Sequence, residues 1–171
     1  MTSKLFKTIL ILTAFAATTC QASSDGMYTG VQGGVAGADF GGSGGYGRLL
    51  LGDQINRFFA FEAGATLLPH TAAGSGGFLS NADEGKAYTL DGDAKLMLPI
   101  GSRFNFYVKA GPSVGYVEAD SKGMALLGNA ALGMNLDLTE HVSTDLSIST
   151  MLGQRGFIDG FAGLGLSYHF A

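Results

Sequence analysis

Phe59-Ala60-Phe61-Glu62-Ala63-Gly64-Ala65-Thr66-Leu67 alternates strictly: Phe59, Phe61, Ala63, Ala65 and Leu67 share one phase, Ala60, Glu62, Gly64 and Thr66 the other. Leu90-Asp91-Gly92-Asp93-Ala94-Lys95-Leu96-Met97-Leu98 repeats the pattern, with Asp91, Asp93, Lys95 and Met97 opposite the leucines. A period of two belongs to a β-strand, whose successive side chains leave opposite faces. In both stretches the charge keeps to one phase. The same division recurs around Tyr107, Lys109 and Ser113, around Asp145, Ser147 and Ser149, and around Gly163, Gly165, Ser167 and His169.

Working outward, eight strand-like runs emerge, at about 27–36, 45–54, 58–68, 87–98, 104–117, 126–138, 142–152 and 159–170. Ten residues is about the length a tilted strand needs to cross a bilayer. Short connections fall around Gln54–Arg57, Pro99–Arg103 and Thr139–His141. Longer ones are expected at Gly37–Gly44, Pro69–Lys86, Glu118–Ala125 and Gly153–Ile158. Three short turns at one end and four longer loops at the other make the layout of an outer-membrane barrel.

Composition agrees. Of 171 residues 28 are glycine, and charged residues are 14%, against an ordinary ~25%. That much glycine disfavours a helical bundle. After residue 22 no apolar run reaches the ~20 residues of a spanning helix. One cysteine excludes an internal disulfide framework and a multi-cysteine zinc site. A net charge of −4 argues against nucleic-acid binding by a basic surface.

Residues 1–22 have the three-part layout of a secretory signal peptide: Lys4 and Lys7, the apolar run Ile9–Ala17, then small residues to Ala22. Residues 23–171 are then the barrel domain. Cys20 is expected to leave with the leader; its alternative is a lipidated N-terminus, which Thr19 fits poorly.

Two barrels share this pattern. A soluble ligand-binding barrel turns Phe59, Phe61, Val108, Leu146, Ile148 and Leu166 inward; a membrane barrel turns them to lipid. A charge facing lipid at mid-depth costs roughly 2–4 kcal/mol, which accounts for charges confined to one phase. Phe59, Phe61, Phe104, Phe106, Tyr168 and Phe170 near the short turns, and Tyr88 and Tyr116 near the loops, match the aromatic girdles of a transmembrane barrel. The expected fold is therefore all-β: an eight-stranded antiparallel up-and-down transmembrane barrel. Pro112 falls mid-strand, where a bulge is expected.

The chain resembles the transmembrane domain of the OmpA family. The resemblance is carried by Tyr28–Gly34, Gln54–Gly64, Ala94–Ile100 and the ending Leu164–Phe170, and covers nearly all of the exported chain. It implies inward charges at Glu62, Lys95 and Lys109. It departs at Asp145, where the family carries an inward arginine, so a Glu62–arginine pair has no counterpart here. It also implies delivery by periplasmic chaperones and the barrel-assembly machinery, alongside outer-membrane lipid and lipopolysaccharide as surroundings.

On this register Arg48, Glu62, Asp91, Asp93, Lys95, Lys109, Asp137 and Asp145 face the lumen. Such charges must be paired or hydrated. They form either a structural plug, the expectation for so narrow a barrel, or the lining of a narrow, cation-leaning pore. Inward Gly30, Gly64, Gly111, Gly133 and Gly165 are expected to make room for long lumen side chains such as Lys95 and Lys109, and Lys95 to partner Asp91 and Asp93, whose alternative is to pair on a metal cation. No cofactor is implied. Gly42–Gly47 spells a glycine-rich phosphate motif, but no strand–helix–strand unit surrounds it. His70, His141 and His169 do not converge on a metal or triad. A lipid-modifying enzyme would need Ser167 and His169 on the opposite face and leaflet. An adhesion module would use Pro69–Lys86, with Phe78 and Leu79 at its tip.

Overall fold

The structure, a computed structural model, describes residues 26–37, 44–68, 86–118, 123–153 and 156–170. The expected leader at 1–22 with Cys20, the loop residues His70, Phe78 and Leu79, and Gly42 and Ser43 lie outside the described residues. Eight antiparallel strands run β1 (Met27–Gly37), β2 (Gly44–Asn56), β3 (Phe59–Leu68), β4 (Lys86–Ile100), β5 (Phe104–Glu118), β6 (Gly123–Asp137), β7 (Val142–Gly153) and β8 (Gly156–His169). Each pairs with its neighbours in sequence, and β1 pairs with β8, so the sheet closes. Closure matters because an open edge would leave backbone N–H and C=O groups unpaired in hydrocarbon, at several kcal/mol each.

The three short turns lie together at one end. Asn56 Oδ1 accepts a hydrogen bond from the Phe58 amide at 2.8 Å in the first. Gly101 takes a φ of 79° in the second, the left-handed conformation that suits glycine. Thr139 Oγ1 accepts from the Val142 amide at 3.0 Å in the third. At the other end two hairpins run further than expected. β5 and β6 pair as far as Val117 with Gly123, and β7 and β8 as far as Gly153 with Gly156. The connections expected at Glu118–Ala125 and Gly153–Ile158 are therefore shorter, because the ladders keep satisfying backbone groups beyond the apolar band.

The two phases separate as the alternation demands. Along β3 inward residues are buried and outward ones exposed, in strict succession from Ala60 to Leu68. Leu49, Leu126 and Leu132 on the outer surface are 64, 69 and 64% exposed. Phe61, Val108, Leu146, Ile148 and Leu166 point outward as well, which excludes the soluble alternative. So extensive an apolar exterior is a lipid-facing surface. Its girdle near the short turns is made of edge-on ring pairs two residues apart: Phe59 with Phe61 at 4.7 Å, Phe104 with Phe106 at 5.0 Å, Tyr168 with Phe170 at 5.3 Å. Tyr88 and Tyr116 meet across strands near the loops.

Pro112 does not produce a bulge. Asp91 pairs with Ser113 and Ala94 with Ala110 in one unbroken register, and Gly92 and Asp93 drop out of the β4–β5 ladder between them. The missing proline N–H is absorbed by this local gap. The irregularities lie instead at Gln54/Asn56 and Met151/Leu152. At the gap the backbones approach so closely that a Cβ on Gly111 would collide with the Gly92 carbonyl, whereas Gly92 itself faces open space. Gly111→Ala is expected to destabilise the barrel by about 1–3 kcal/mol through overpacking. Gly92→Ala should leave stability nearly unchanged. Urea unfolding of the two variants in detergent micelles checks the contrast.

Candidate functional site

The inward phase builds the lumen in layers. Nearest the short turns, the Tyr28 ring stacks on His169 at 5.1 Å. His169 Nε2 and Ser143 Oγ share a hydrogen bond of 3.0 Å. Asp137 is only half-buried here, with Asn135 Nδ2 donating to it at 3.4 Å.

Above this mouth Glu62 takes three donors. Lys95 Nζ reaches its Oε1 at 2.7 Å, Lys109 Nζ its Oε2 at 2.7 Å, and the Tyr28 hydroxyl donates to Oε1 at 2.6 Å. Adjacent strands make this possible: Ala60 on β3 stands opposite Lys95 on β4, which stands opposite Lys109 on β5. Two lysines side by side would repel without the carboxylate between them. Lys95 also lies over the Tyr107 ring, 4.3 Å from its centroid, a contact that stabilises a desolvated cation. The Tyr107 hydroxyl donates to Asp145 Oδ2 at 2.7 Å, and Gln32 Nε2 donates to Ser147 Oγ. Asp145 has no salt bridge among the described residues; neutral donors hold it.

Further toward the loops Arg48 Nη2 contacts Asp91 Oδ2 at 2.5 Å and Asp93 Oδ2 at 3.3 Å. Asn129 Nδ2 donates to both Asp93 oxygens, at 3.2 and 2.9 Å. The expected Lys95 partnership of these aspartates is thus replaced by Arg48. The guanidinium is a fork that can meet two carboxylates, and Lys95 is held by Glu62. The inward glycines do make room for large lumen side chains, though for others than the two lysines. Gly64 leaves room for Arg48 and Asp91, Gly133 for the Tyr107 ring, Gly165 for Asp145 and Gly30 for Ser167 and Leu50, rather than for the lysine stems.

Sequence reasoning missed the final layer. Ala36, Tyr46, Leu68, Ala87, Leu127, Met151 and Phe161 form an apolar cluster inside the loop end of the barrel. The Tyr46 and Phe161 rings meet edge-on at 5.4 Å. The signal was present: Leu68, Leu127, Met151 and Phe161 fall in the inward phase. Phase alone does not mark them out, because the rest of the inward phase is mostly small or polar.

A lumen cavity lined by Tyr28, Leu50, Glu62, Lys109, Ser143 and His169 measures about 20 Å³, room for about one water. The Ser143–His169 contact has the pairing of a nucleophile and a base, yet Ser143 is buried and the space beside it admits no substrate carbonyl. Among the described residues no cluster of His, Cys, Asp and Glu suits a metal.

No family model matches the chain, and no curated protein is significantly similar to it. Solved structures are similar. Neisserial surface protein A superposes with a TM-score of 0.67 at 18% identity, over 86% of this chain and 98% of that one. The N-terminal β-barrel domain of Pseudomonas aeruginosa OprF gives 0.64 at 15% identity, over 84% and 97%. Ail, the attachment invasion locus protein of Yersinia pestis, gives 0.57 at 12% identity, over 84% and 98%. These are small eight-stranded outer-membrane barrels, so the resemblance to the OmpA-type transmembrane domain holds for the fold.

Glu62→Gln removes the one carboxylate that both lysines share and leaves two buried cations facing each other. It is expected to cost about 3–5 kcal/mol, the range for breaking a buried pair. Lys109→Met should cost less, because Lys95 still neutralises Glu62. Equilibrium unfolding of the two variants in micelles measures the difference.

Proposed function

We propose that the protein is an integral barrel of the Gram-negative outer membrane whose role is structural: it spans the membrane as a plugged cylinder and carries loops at the cell surface. The observation that supports this is the filled lumen. Two layers of ion pairs and an apolar cluster occupy it in series, and the cavity between Glu62 and His169 has room for about one water.

Arg48, Glu62, Asp91, Asp93, Lys95, Lys109 and Asp145 act on this reading as the plug, with Asp137 at its periplasmic mouth. A hydrated ion passing through would have to displace both salt-bridged layers and the Tyr46–Phe161 cluster. A permanently open porin therefore fits the geometry less well, and conduction is limited to rare opening. A non-enzymatic role fits for a related reason: Ser143, Ser167 and His169 line the narrow periplasmic end of the lumen and not a lipid-facing cleft. Residues 1–22 serve as the export signal and 23–171 as the barrel, folded by way of periplasmic chaperones and the barrel-assembly machinery into a bilayer of phospholipid and lipopolysaccharide.

Membrane fractionation and planar-bilayer recording test this. The protein is expected in the outer-membrane fraction, to run faster on SDS gels unboiled than boiled, and to give no persistent conductance in bilayers. A large, sustained single-channel current would overturn the plug. Recovery in the soluble periplasmic fraction would overturn the membrane role.

A further inference from the structure

Charge is not balanced layer by layer. Lys95 and Lys109 share Glu62, and Asp145 nearby is held by neutral donors, its Oδ1 without a hydrogen-bond partner. Around Arg48, the single cation of its layer among the described residues, stand Asp91 and Asp93. Both aspartate side chains are fully buried, so among the described residues one negative charge there has no cation paired with it. Asp93 is satisfied by Arg48 and Asn129. Asp91 is satisfied on one side only: its Oδ1 has no hydrogen-bond partner.

Three hydroxyls beside it share that condition. Thr66 Oγ1, Thr89 Oγ1 and Ser113 Oγ are buried and unpartnered, on residues 6, 3 and 1% exposed. The register gathers them. Thr66 faces Thr89 across β3 and β4, Ser113 faces Asp91 across β4 and β5, and Thr89 and Asp91 are two residues apart on one face of β4. Directly opposed side chains have Cβ atoms about 4.5–5.5 Å apart and diagonal ones about 7–8 Å, so Asp91 is bordered by Ser113 opposite it and by Thr89 two residues along its own strand, with Thr66 beyond Thr89. A carboxylate ringed by hydroxyls is a donor set for a hard cation.

We propose that this patch binds one monovalent cation of the sodium class, held by Asp91 Oδ1 and the hydroxyls of Thr89 and Ser113. One positive charge restores neutrality beside Arg48; a divalent ion would leave an excess in low dielectric. Water alone would satisfy the hydroxyls and leave the charge unmatched. The unpartnered Arg48 Nε is a donor, and a water in the ion's shell accepts from it. The Glu62 network closes the patch on one side and Leu68, Ala87 and Leu127 on the other, so the ion enters as the barrel folds.

The test uses the full-length protein, extracted from membranes, unfolded in urea and refolded into micelles in sodium chloride or in choline chloride of equal ionic strength. Refolding in sodium is expected to raise the thermal midpoint by about 3–6 °C, as a ligand bound only by the folded state does. Asp91→Asn and Ser113→Ala should each abolish that difference. Should Asp91→Asn fail to fold, Ser113→Ala and Thr89→Val carry the comparison. Protein refolded in thallium(I) acetate and crystallised should show an anomalous peak beside Asp91. Equal midpoints in the two salts overturn the proposal, as does absence of the thallium peak. A midpoint that follows pH but not sodium also overturns it, by assigning the missing charge to a proton shared between Asp91 and Asp93.

Discussion

The ladder between β1 and β8, from Tyr28 opposite His169 to Gly37 opposite Gly160, is the contact on which the rest depends. In lipid a sheet edge has no water to bond, so only a closed sheet is tolerated. Once the ends are joined, every inward side chain on eight strands points at one axis. The interior of an eight-stranded barrel is just wide enough for side chains to fill it. Charges that are far apart in sequence are thereby forced into contact, and Glu62 meets Lys95 and Lys109 from two further strands.

That confinement explains the chemistry of the lumen. A long side chain in so narrow a tube needs space from its neighbours, and glycines supply it where the tyrosines, Arg48 and Asp145 cross the axis. Aromatic rings do two jobs: Tyr28 and Tyr107 fill volume and also turn hydroxyls onto Glu62 and Asp145. Buried ion pairs are poor sources of stability compared with packed hydrocarbon. Here the alternative is constrained, because the barrel already spends its apolar residues on the lipid face.

Much of this was legible in the chain. Phe59–Leu67 and Leu90–Leu98 show the period of two and the phase of the charges, and in a strand phase is equivalent to facing. The eight strand positions and the three short turns follow from the same alternation along the rest of the chain. The shared phase of the eight candidate lumen charges is likewise visible in the sequence. What could not be read was depth and azimuth. Lys95 and Arg48 share a phase, and nothing local tells which of them Asp91 meets; the stagger between β2, β3 and β4 decides it. Pro112 misled for a similar reason: its missing N–H matters only through what the neighbouring strand offers at that rung. Leu68, Leu127, Met151 and Phe161 stand far apart in sequence, and only closure brings these residues of four strands into one cluster.

By itself, then, the sequence determined the class of fold, the face each residue takes and the separation of lipid-facing hydrocarbon from internal charge. These depend on local alternation, which every strand carries within ten residues. Pairing inside the lumen was decided by tertiary structure alone: Glu62 with two lysines, Arg48 with two aspartates, the apolar cluster above them. Those contacts depend on the relative shift of neighbouring strands and on the curvature of the closed sheet, which are properties of the assembled barrel and of no single segment.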